Sequence, residues 1–253
     1  MGRKITGTIR IGTSNVVVPG NKATFPREFH DKTRLNYYAS LFNTVELNST
    51  FRQIPRSATL AKWCTEVPVD FQFTLKLVKD ITHIKKLQGN LGLVEPFLNA
   101  SQSLGNKRGC LLVQFPASIH AEYWEEVLAI LQTLHELDTT NKWKKAIEFR
   151  HETWYTSHTF RMLDQSKAAM VLQDMPRCNN LNLQQQFPFY YFRYHGPAGD
   201  YRGSYTHEFL EEQAAKMKAL LAKGTDVYVY FNNTMGNAFE NARYLQELLK
   251  PGK

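Results

Sequence analysis

The stretch VYVYFNNTMGNAFENARYLQELL, from Val227 to Leu249, contains one complete strand–turn–helix unit. Its first part, Val227–Asn232, is a short run of β-branched and aromatic residues, which is typical of a strand buried on both faces. A polar turn follows, and Ala238–Leu249 then repeats apolar residues at three- and four-residue intervals, which predicts an amphipathic helix. The fold depends on how often this unit recurs along the chain.

Seven similar apolar runs precede this one, so eight strands are predicted. They are Thr8–Gly12, Thr44–Asn48, Phe71–Leu77, Gly109–Gln114, Ala146–Arg150, Ala168–Gln173, Phe189–His195 and Val227–Asn232. Helical patterns lie between most of them, namely Thr33–Phe42 with Asp31 as its cap, Ser57–Glu66, Val94–Leu104, Ala121–Leu137, Thr156–Lys167, Glu208–Ala222 and Ala238–Leu249. The link between Gln173 and Phe189 has no helical pattern and is predicted to be irregular.

Regular alternation of strands and helices predicts right-handed βαβ units and a parallel sheet. Eight units in 253 residues match the usual size of a closed (β/α)8 barrel. An open, doubly wound sheet is the alternative, but no strand is followed by G-x-G-x-x-G, which disfavours its dinucleotide-binding form. No linker divides the chain, so we expect residues 1–253 to form one α/β domain, a closed parallel TIM-type barrel.

The composition is that of an ordinary globular protein with a basic surface. Thirty-one Lys and Arg residues against 23 Asp and Glu give a formal charge of +8, and the sequence pI is near 9.3. This excess favours anionic partners such as phosphorylated metabolites or nucleic acid. At this length a folded chain buries roughly 70–75% of its unfolded surface, so the core needs no disulfide or metal to support it.

The three cysteines, Cys64, Cys110 and Cys178, are odd in number and form no C-x-x-C motif. Neither a disulfide framework nor a zinc ribbon is therefore expected, and a reducing, cytoplasmic location fits best. The N-terminal MGRKITGTIRIG lacks the apolar region of a signal peptide. No run approaches the ~18 apolar residues that cross a bilayer, so no membrane association is expected.

Polar side chains cluster at the carboxyl ends of the predicted strands, where barrels carry their active sites. Because residues two apart in a strand share a face, three strands present a pair of polar residues to the interior. These pairs are Glu46 with Asn48, Glu148 with Arg150, and Arg193 with His195. The third predicted strand, Phe71–Leu77, contains Lys76. Ionised groups aimed inward must pair with one another or with a ligand, because burying them alone costs several kcal/mol.

We therefore predict a functional mouth at this end of the barrel. Its predicted catalytic residues are Glu46, Glu148 and His195. Its predicted ligand-binding residues are Asn48, Lys76, Arg150, Arg193, Asn232, Asn233 and Tyr201. A structural ion network that only closes the barrel remains the alternative. Neither metal nor cofactor is expected: Glu46, Glu148, Asp174 and His195 could supply ligands, but the cations on the same rim would oppose a divalent ion.

Two loops near the mouth have compositions suited to ligand binding. The turn Asn232–Asn237 opens the last helix, and its Gly and Asn residues suit a backbone cradle for an anion. Barrels often hold phosphate just after the seventh and eighth strands. The loop Gly196–Tyr205 contains several glycines and two tyrosines, and it suits a lid.

Several motifs together resemble the YecE-like family of domains of unknown function. They are NTVELNSTF at Asn43–Phe51, KLVKDITHIKKL at Lys76–Leu87, EFRHETW at Glu148–Trp154, FRYHG at Phe192–Gly196 and VYVYFNNTMGNAFENARYL at Val227–Leu245. The resemblance spans about Arg10 to Leu249, and it implies a TIM-type barrel without an established activity. The sequence departs from the family at Val16, Val18 and Asn21, where aromatic residues are usual, and at Arg52, where tyrosine is usual.

Four functions fit these residues. The first is binding of, or action on, an anionic, phosphate-containing small molecule, which for an enzyme means a metal-independent hydrolase or a phosphate-ester-acting enzyme. The second is nucleic-acid binding or processing, favoured by the pI and by His83, Lys85 and Lys86. The third is a glycosidase-like carboxylate pair of Glu46 and Glu148, whose separation would decide stereochemistry. The fourth is a partner-binding scaffold without chemistry. The sequence leaves the oligomeric state open.

Overall fold

The computed structural model describes residues 7–139 and 142–250. Eight strands form one parallel sheet, in which β2 to β8 pair successively in chain order and β1 pairs with β8. The strands are β1 (Ile9–Thr13), β2 (Thr44–Leu47), β3 (Gln72–Lys76), β4 (Arg108–Phe115), β5 (Lys144–Phe149), β6 (Ala168–Gln173), β7 (Tyr190–Tyr194) and β8 (Val227–Phe231). The predicted (β/α)8 barrel is confirmed.

Helices cover the outside of this sheet. They are α1 (Arg34–Leu41), α2 (Ser57–Thr65), α3 (Lys79–Thr82), α4 (Val94–Ser101), α5 (Trp124–Leu137), α6 (Ser157–Gln165), α7 (His207–Ala222) and α8 (Ala238–Leu249). The sequence did not predict α3, because four residues are too few to show a helical period. The predicted cap at Asp31 was wrong: α1 begins at Arg34, and the Thr33 hydroxyl accepts a hydrogen bond from the Asn36 N–H at 3.1 Å.

The observed strands differ from the predicted ones mainly at their ends. Asn48, Arg150, His195 and Asn232 each lie one residue beyond the strand that was predicted to contain them. A residue just past the strand end leaves the regular ladder while its side chain still points toward the barrel axis. The shift therefore places these polar groups at the mouth of the barrel and not within its wall.

Two apolar layers support the mouth. Leu47, Phe149 and Tyr194 belong to the layer between sheet and helices, as the alternation predicted. A second, smaller cluster fills the barrel interior with Cys110, Leu112, Ala146, Ala169, Val171, Phe189, Tyr191, Tyr228 and Tyr230. Side chains in a close-packed interior have little freedom to move. The interior cluster therefore gives the charged residues above it a rigid support.

The barrel closes between β1 and β2, which share only one ladder bridge, Ser14 with Glu46. The side chain of Asn43 replaces the missing strand contacts. Its Oδ1 accepts from the Ile11 N–H at 3.1 Å, and its Nδ2 donates to the Ile9 carbonyl at 3.0 Å. An amide side chain thus pairs with both backbone groups as a neighbouring strand would.

The Tyr38 hydroxyl completes the same seam. It accepts a hydrogen bond from the Thr13 N–H at 2.8 Å and donates to the Thr44 carbonyl at 3.0 Å. Gly12 lies at this point, where a Cβ atom would stand 2.2 Å from the Thr44 oxygen. The closure therefore requires both a buried tyrosine and the absence of a side chain on β1.

All three cysteines are free, with Cys110 and Cys178 buried and Cys64 partly exposed. Within residues 7–139 and 142–250, no helix combines the length and apolar character that crossing a membrane requires.

Candidate functional site

Arg193 is the centre of the charged network at the mouth. Alternation along β7 turns Tyr191 and Arg193 toward the barrel axis, and the guanidinium is 2% exposed. Its Nη2 donates to Glu46 Oε1 at 2.9 Å, and its Nε contacts both Glu46 oxygens at 3.2 and 3.1 Å. Its Nη1 donates to Glu148 Oε2 at 3.1 Å. One buried cation therefore joins two carboxylates that come from opposite sides of the barrel.

Glu46 is enclosed by hydrogen-bond donors. Besides Arg193, the Ser14 hydroxyl donates to its Oε1 at 2.6 Å and the Tyr191 hydroxyl to its Oε2 at 2.5 Å. Burial alone would raise the pKa of this carboxyl group, but the charge and hydrogen bonds of Arg193, Ser14 and Tyr191 outweigh it, and the pKa is lowered. Glu46 is ionised at neutral pH.

Glu148 has two cationic partners. Arg150 Nε donates to its Oε1, and Arg193 contacts both of its oxygens. Burial opposes ionisation here too, but the charges of Arg150 and Arg193 hold the pKa of Glu148 well below its usual range. The expectation that Glu148 pairs with a neighbouring cation agrees with this geometry.

His195 is a hydrogen-bond acceptor for both arginines. Its Nε2 lies 2.9 Å from Arg150 Nη2 and 3.1 Å from Arg193 Nη1. Because a guanidinium can only donate, Nε2 carries no proton, and Nδ1–H donates to Asp174 Oδ1 at 3.2 Å. Burial lowers the pKa of His195, and the hydrogen bond to Asp174 opposes this only in part. The imidazole ring is therefore neutral, and its orientation is fixed by the two arginines at Nε2 and by Asp174 at Nδ1.

Lys76 stands apart from this network. Its Nζ donates to Gln114 Oε1 at 2.6 Å and lies 4.0 Å from the centre of the Phe51 ring. Gln114 in turn donates from Nε2 to His83 Nε2 at 3.2 Å. Within the described residues no carboxylate forms an ion pair with Lys76, although the side chain is only 7% exposed. Lys76 is thus a nearly buried amine with a neutral hydrogen-bond partner.

The pKa of Lys76 reflects this position. Burial lowers it first, the charge of Arg193 lowers it further, and the more distant carboxylates compensate only partly, so that it falls to about 7. Lys145 is equally buried at 2% exposed, but its Nζ lies 3.9 Å from an Asp138 oxygen. The comparison shows that Lys76 lacks the carboxylate that accompanies the other buried lysine.

The structure brings the three predicted catalytic residues together below the surface of the mouth. Glu46, Glu148 and His195 all have no exposed surface, and their polar atoms are bonded to Arg193, Arg150 or Asp174. Arg193 was predicted to contact a ligand, but each of its three nitrogens donates to the protein itself. Lys76, at 7% exposed, and the Arg150 side chain, at 9%, are less deeply buried than Arg193.

The remaining predicted ligand-binding residues fall into two groups. Asn48, Asn232 and Tyr201 lie at the mouth, where the Tyr201 ring packs 5.7 Å from His195. Asn233 does not lie at the mouth. It follows Asn232 directly, so its side chain faces the helices. Its Nδ2 donates to Asn241 Oδ1 on α8 at 3.0 Å.

The protein's own backbone fills much of the predicted anion cradle after β8. Four of the six N–H groups of the turn donate to carbonyl oxygens: Asn232 to Tyr194 at 2.7 Å, Met235 to Tyr201 at 3.0 Å, Gly236 to Asn233 at 2.9 Å and Asn237 to Gly203 at 3.0 Å. Gly236 makes this packing possible, since a Cβ atom there would lie 2.4 Å from the Gly203 oxygen.

The predicted lid, Gly196–Tyr205, is held in place by the same contacts. In addition, the Tyr201 N–H donates to the His195 carbonyl at 2.7 Å, and the Tyr205 hydroxyl donates to Asp174 while accepting from the Gly196 N–H. Because this loop is hydrogen-bonded to both the β8 turn and the mouth, it is a fixed part of the barrel rim. Its glycines allow this close packing and do not indicate a hinge.

Several residues of the site were missing from the predicted set. Ser14 and Tyr191 each lie two residues from an inward-facing position, so alternation along β1 and β7 would have identified them. Asp174 directly follows β6 and was considered only as a metal ligand. The contacts of Phe51 with Lys76 and of His83 with Gln114 carry no sequence signal, because each joins a loop to a strand from another part of the chain.

Thr50 also lines a groove beside the mouth, about 440 Å³ in volume. The groove includes Arg56 and Trp63, and the Thr50 hydroxyl donates to the Lys76 carbonyl at 2.7 Å. No residue of β5 or β7 lines it. The groove is therefore separate from the Arg193 network.

Replacing Glu148 with Gln tests whether its charge supports the network. We expect Glu148→Gln to lower the free energy of unfolding at pH 7 by about 1–3 kcal/mol, because Arg150 and Arg193 keep an acceptor but lose the opposite charge. Since the folded-state pKa of Glu148 is lowered, its contribution is complete above about pH 4.5 and is lost as the pH falls further. Urea unfolding at pH 7 and pH 3 measures this.

The exposed neighbour Glu152 provides the control for that experiment. Glu152→Gln should leave the free energy of unfolding within about 0.5 kcal/mol of wild type. Equal stability of Glu148→Gln and wild type at pH 7 would show that the ionised carboxylate has no role in the fold.

Comparison with known proteins places the chain in a family. Residues 10–253 match the family described as "Protein of unknown function DUF72". The UPF0759 protein YunF of Bacillus subtilis is 24% identical over 256 residues, covering 89% of each chain. The crystal structure of a DUF72 family protein from Enterococcus faecalis superposes with a TM-score of 0.78 at 21% identity, covering 97% of both chains.

A more distant likeness concerns the fold alone. A sugar phosphate isomerase/epimerase from Parabacteroides distasonis has a TM-score of 0.53 at 11% identity, over 97% of this chain and 95% of that one. The family match, in contrast, covers nearly the whole chain and agrees with the motifs at the strand ends. The protein therefore belongs to the DUF72 family.

Proposed function

We propose that the barrel mouth binds a small anion, with Lys76 and Arg150 as its charge partners. The observation that carries this proposal is the position of Lys76, a nearly buried amine that no carboxylate of the described chain accompanies. A buried cation without a counter-ion is unfavourable. An anionic ligand that hydrogen-bonds to Nζ would supply the missing charge and keep the ammonium protonated.

The charges around Lys76 support the same assignment. Two carboxylates, Glu46 and Glu148, balance the two arginines of the network, so Lys76 is left without a carboxylate partner among the described residues. Arg150 uses Nε and Nη2 for Glu148 and His195, and its Nη1 forms no hydrogen bond within residues 7–139 and 142–250. Lys76 and Arg150 thus both retain N–H donors for a ligand.

The alternative of a hydrolase with a carboxylate pair fits this geometry less well. Such enzymes need one carboxyl group that stays protonated and donates to the leaving group. The pKa values of Glu46 and Glu148 are both lowered, and both side chains are buried. Nucleic-acid binding stays a prediction from the overall charge: Lys85 and Lys86 are exposed after β3, while His83 bonds inward to Gln114.

Anion binding is tested by thermal-shift and calorimetric titration with phosphate, sulfate, nucleotides and sugar phosphates. Sugar phosphates are included because the distant Parabacteroides likeness is named for them. An anion at about 100 times its Kd should stabilise wild type by about 2.7 kcal/mol. In Lys76→Met we expect the affinity for that anion to fall at least about tenfold, because a direct charge partner is lost.

The exposed Lys79, three residues away, supplies the matched control, and Lys79→Met should bind as wild type does. Affinity should also decrease as the pH rises through about 7, since Lys76 then loses its proton. If no anion stabilises wild type, or if Lys76→Met binds as tightly as Lys79→Met, the proposed site is wrong.

A further inference from the structure

We propose that Lys76 also acts as a nucleophile, forming a Schiff base with the carbonyl group of a bound aldehyde or ketone that carries an anionic group. This rests on the proposed anion site and names the ligand class for it. The ligands that fit are small 2-oxo acids and phosphorylated aldehydes or ketones. Their anionic group would lie at Arg150 while the carbonyl carbon meets Nζ.

The surroundings of Nζ suit an amine that reacts. Gln114 Oε1 accepts one N–H at 2.6 Å and fixes the position of the nitrogen without bringing a charge. The Phe51 ring, 4.0 Å away, limits access of water from that side. A carboxylate in place of Gln114 would hold the lysine as an ammonium ion, which has no lone pair to donate. The neutral amide therefore leaves the reactive form available.

The protonation state agrees with this geometry. A pKa of about 7 leaves roughly half of the Lys76 side chains as free amine at pH 7. An ordinary lysine, with a pKa near 10.4, has a roughly thousandfold smaller amine fraction at that pH. Burial next to another cation, here Arg193, is a recognised way to activate a lysine for carbonyl chemistry.

The step balances without an oxidant or reductant. The Nζ lone pair attacks the carbonyl carbon, the C–N bond forms, and the C=O π electrons move to oxygen. A proton passes from Nζ to that oxygen, giving a neutral carbinolamine. A further proton and departure of water then leave the C=N iminium ion. The iminium ion has the same charge as the ammonium ion, so the cation opposite the ligand's anionic group is retained.

The test is trapping with sodium borohydride, which reduces an iminium ion to a stable secondary amine. Wild type incubated with pyruvate or dihydroxyacetone phosphate should gain the mass of that compound less one oxygen atom. Peptide mapping should place the added mass on Lys76. Lys79→Met should trap as wild type does, and Lys76→Met should lose the adduct.

Lys76→Arg separates this inference from the anion site. Arginine keeps the positive charge but provides no amine nucleophile, so this variant should still be stabilised by the anion while forming no adduct. If wild type is stabilised by pyruvate or dihydroxyacetone phosphate yet forms no adduct on Lys76, the Schiff base is refuted and the anion site stands. If neither compound stabilises wild type or forms an adduct, the Schiff base is refuted, and the anion site is also wrong if phosphate, sulfate, nucleotides and the other sugar phosphates leave wild type unstabilised as well.

Discussion

Arg193→Met should lower the free energy of unfolding by about 3–5 kcal/mol at pH 7, the largest effect we expect from any single change at the mouth. The reason is that Arg193 is the shared partner of Glu46 and Glu148, which are both without exposed surface. Methionine fills a similar volume but leaves Glu46 with neutral donors only. Equilibrium unfolding in urea measures the loss.

The same change should reverse the pH dependence of stability. In wild type the lowered pKa values of Glu46 and Glu148 give stability that is complete above about pH 4.5 and lost as the pH falls. Without Arg193, burial dominates and raises the pKa of Glu46. A raised pKa gives stability that is present at low pH and lost as the pH rises through it. Arg193→Met should therefore be more stable at pH 5 than at pH 8.

Two further variants keep this prediction testable if Arg193→Met does not fold. Arg193→Lys retains one positive charge but not the planar fork, and we expect an intermediate loss. Combining Arg193→Met with Glu46→Gln should recover part of the stability at pH 8, because one uncompensated charge is removed. A loss below about 1 kcal/mol in Arg193→Met, with no change in pH dependence, would show that the network contributes little to folding.

Gly12→Ala should cost about 3 kcal/mol by opening the seam between β1 and β2. The new methyl group would lie 2.2 Å from the Thr44 carbonyl oxygen and 2.7 Å from the Tyr38 hydroxyl. Neither neighbour can move away freely, because Tyr38 bonds to the backbone of both strands. The strands must separate, and their few hydrogen bonds lengthen. Chemical denaturation of the variant gives the value.

Gly109 on β4 is the matched control, since it is also a strand glycine. A Cβ atom there would lie 3.2 Å from the Phe73 oxygen, which needs a shift of only a few tenths of an ångström. Gly109→Ala should therefore change the free energy of unfolding by less than about 1 kcal/mol. Similar losses in the two variants would mean that the closure at Gly12 is not especially tight.

Much of the mouth follows from strand periodicity alone. A side chain two residues from another in a strand shares its face, so the inward direction of Glu46, Glu148 and Arg193 is a local property of the backbone. That such charges must be compensated follows from the high free energy of an unpaired buried ion. The strand number and the grouping of polar residues at one end were therefore predictable without coordinates.

The identity of each partner was decided only by the tertiary structure. Glu46 and Arg193 are separated by 147 positions in the chain, and only closure of the barrel shows that one guanidinium serves both carboxylates. The turn after β8 has the composition of an anion site, yet the N–H groups of Met235 and Asn237 are bonded to carbonyls of the Gly196–Tyr205 loop. Composition describes which contacts a segment can make, and packing determines which of them it makes.

Lys76 shows this division most clearly. Its place at the end of a strand was predicted from the order of residues, which is a local property. Its protonation depends on what lies around Nζ in three dimensions, namely Gln114 from β4, Phe51 from the loop after β2, and no carboxylate within the described chain. Electrostatic free energy varies with distance and burial and not with sequence separation, so only the folded barrel gives this lysine its lowered pKa.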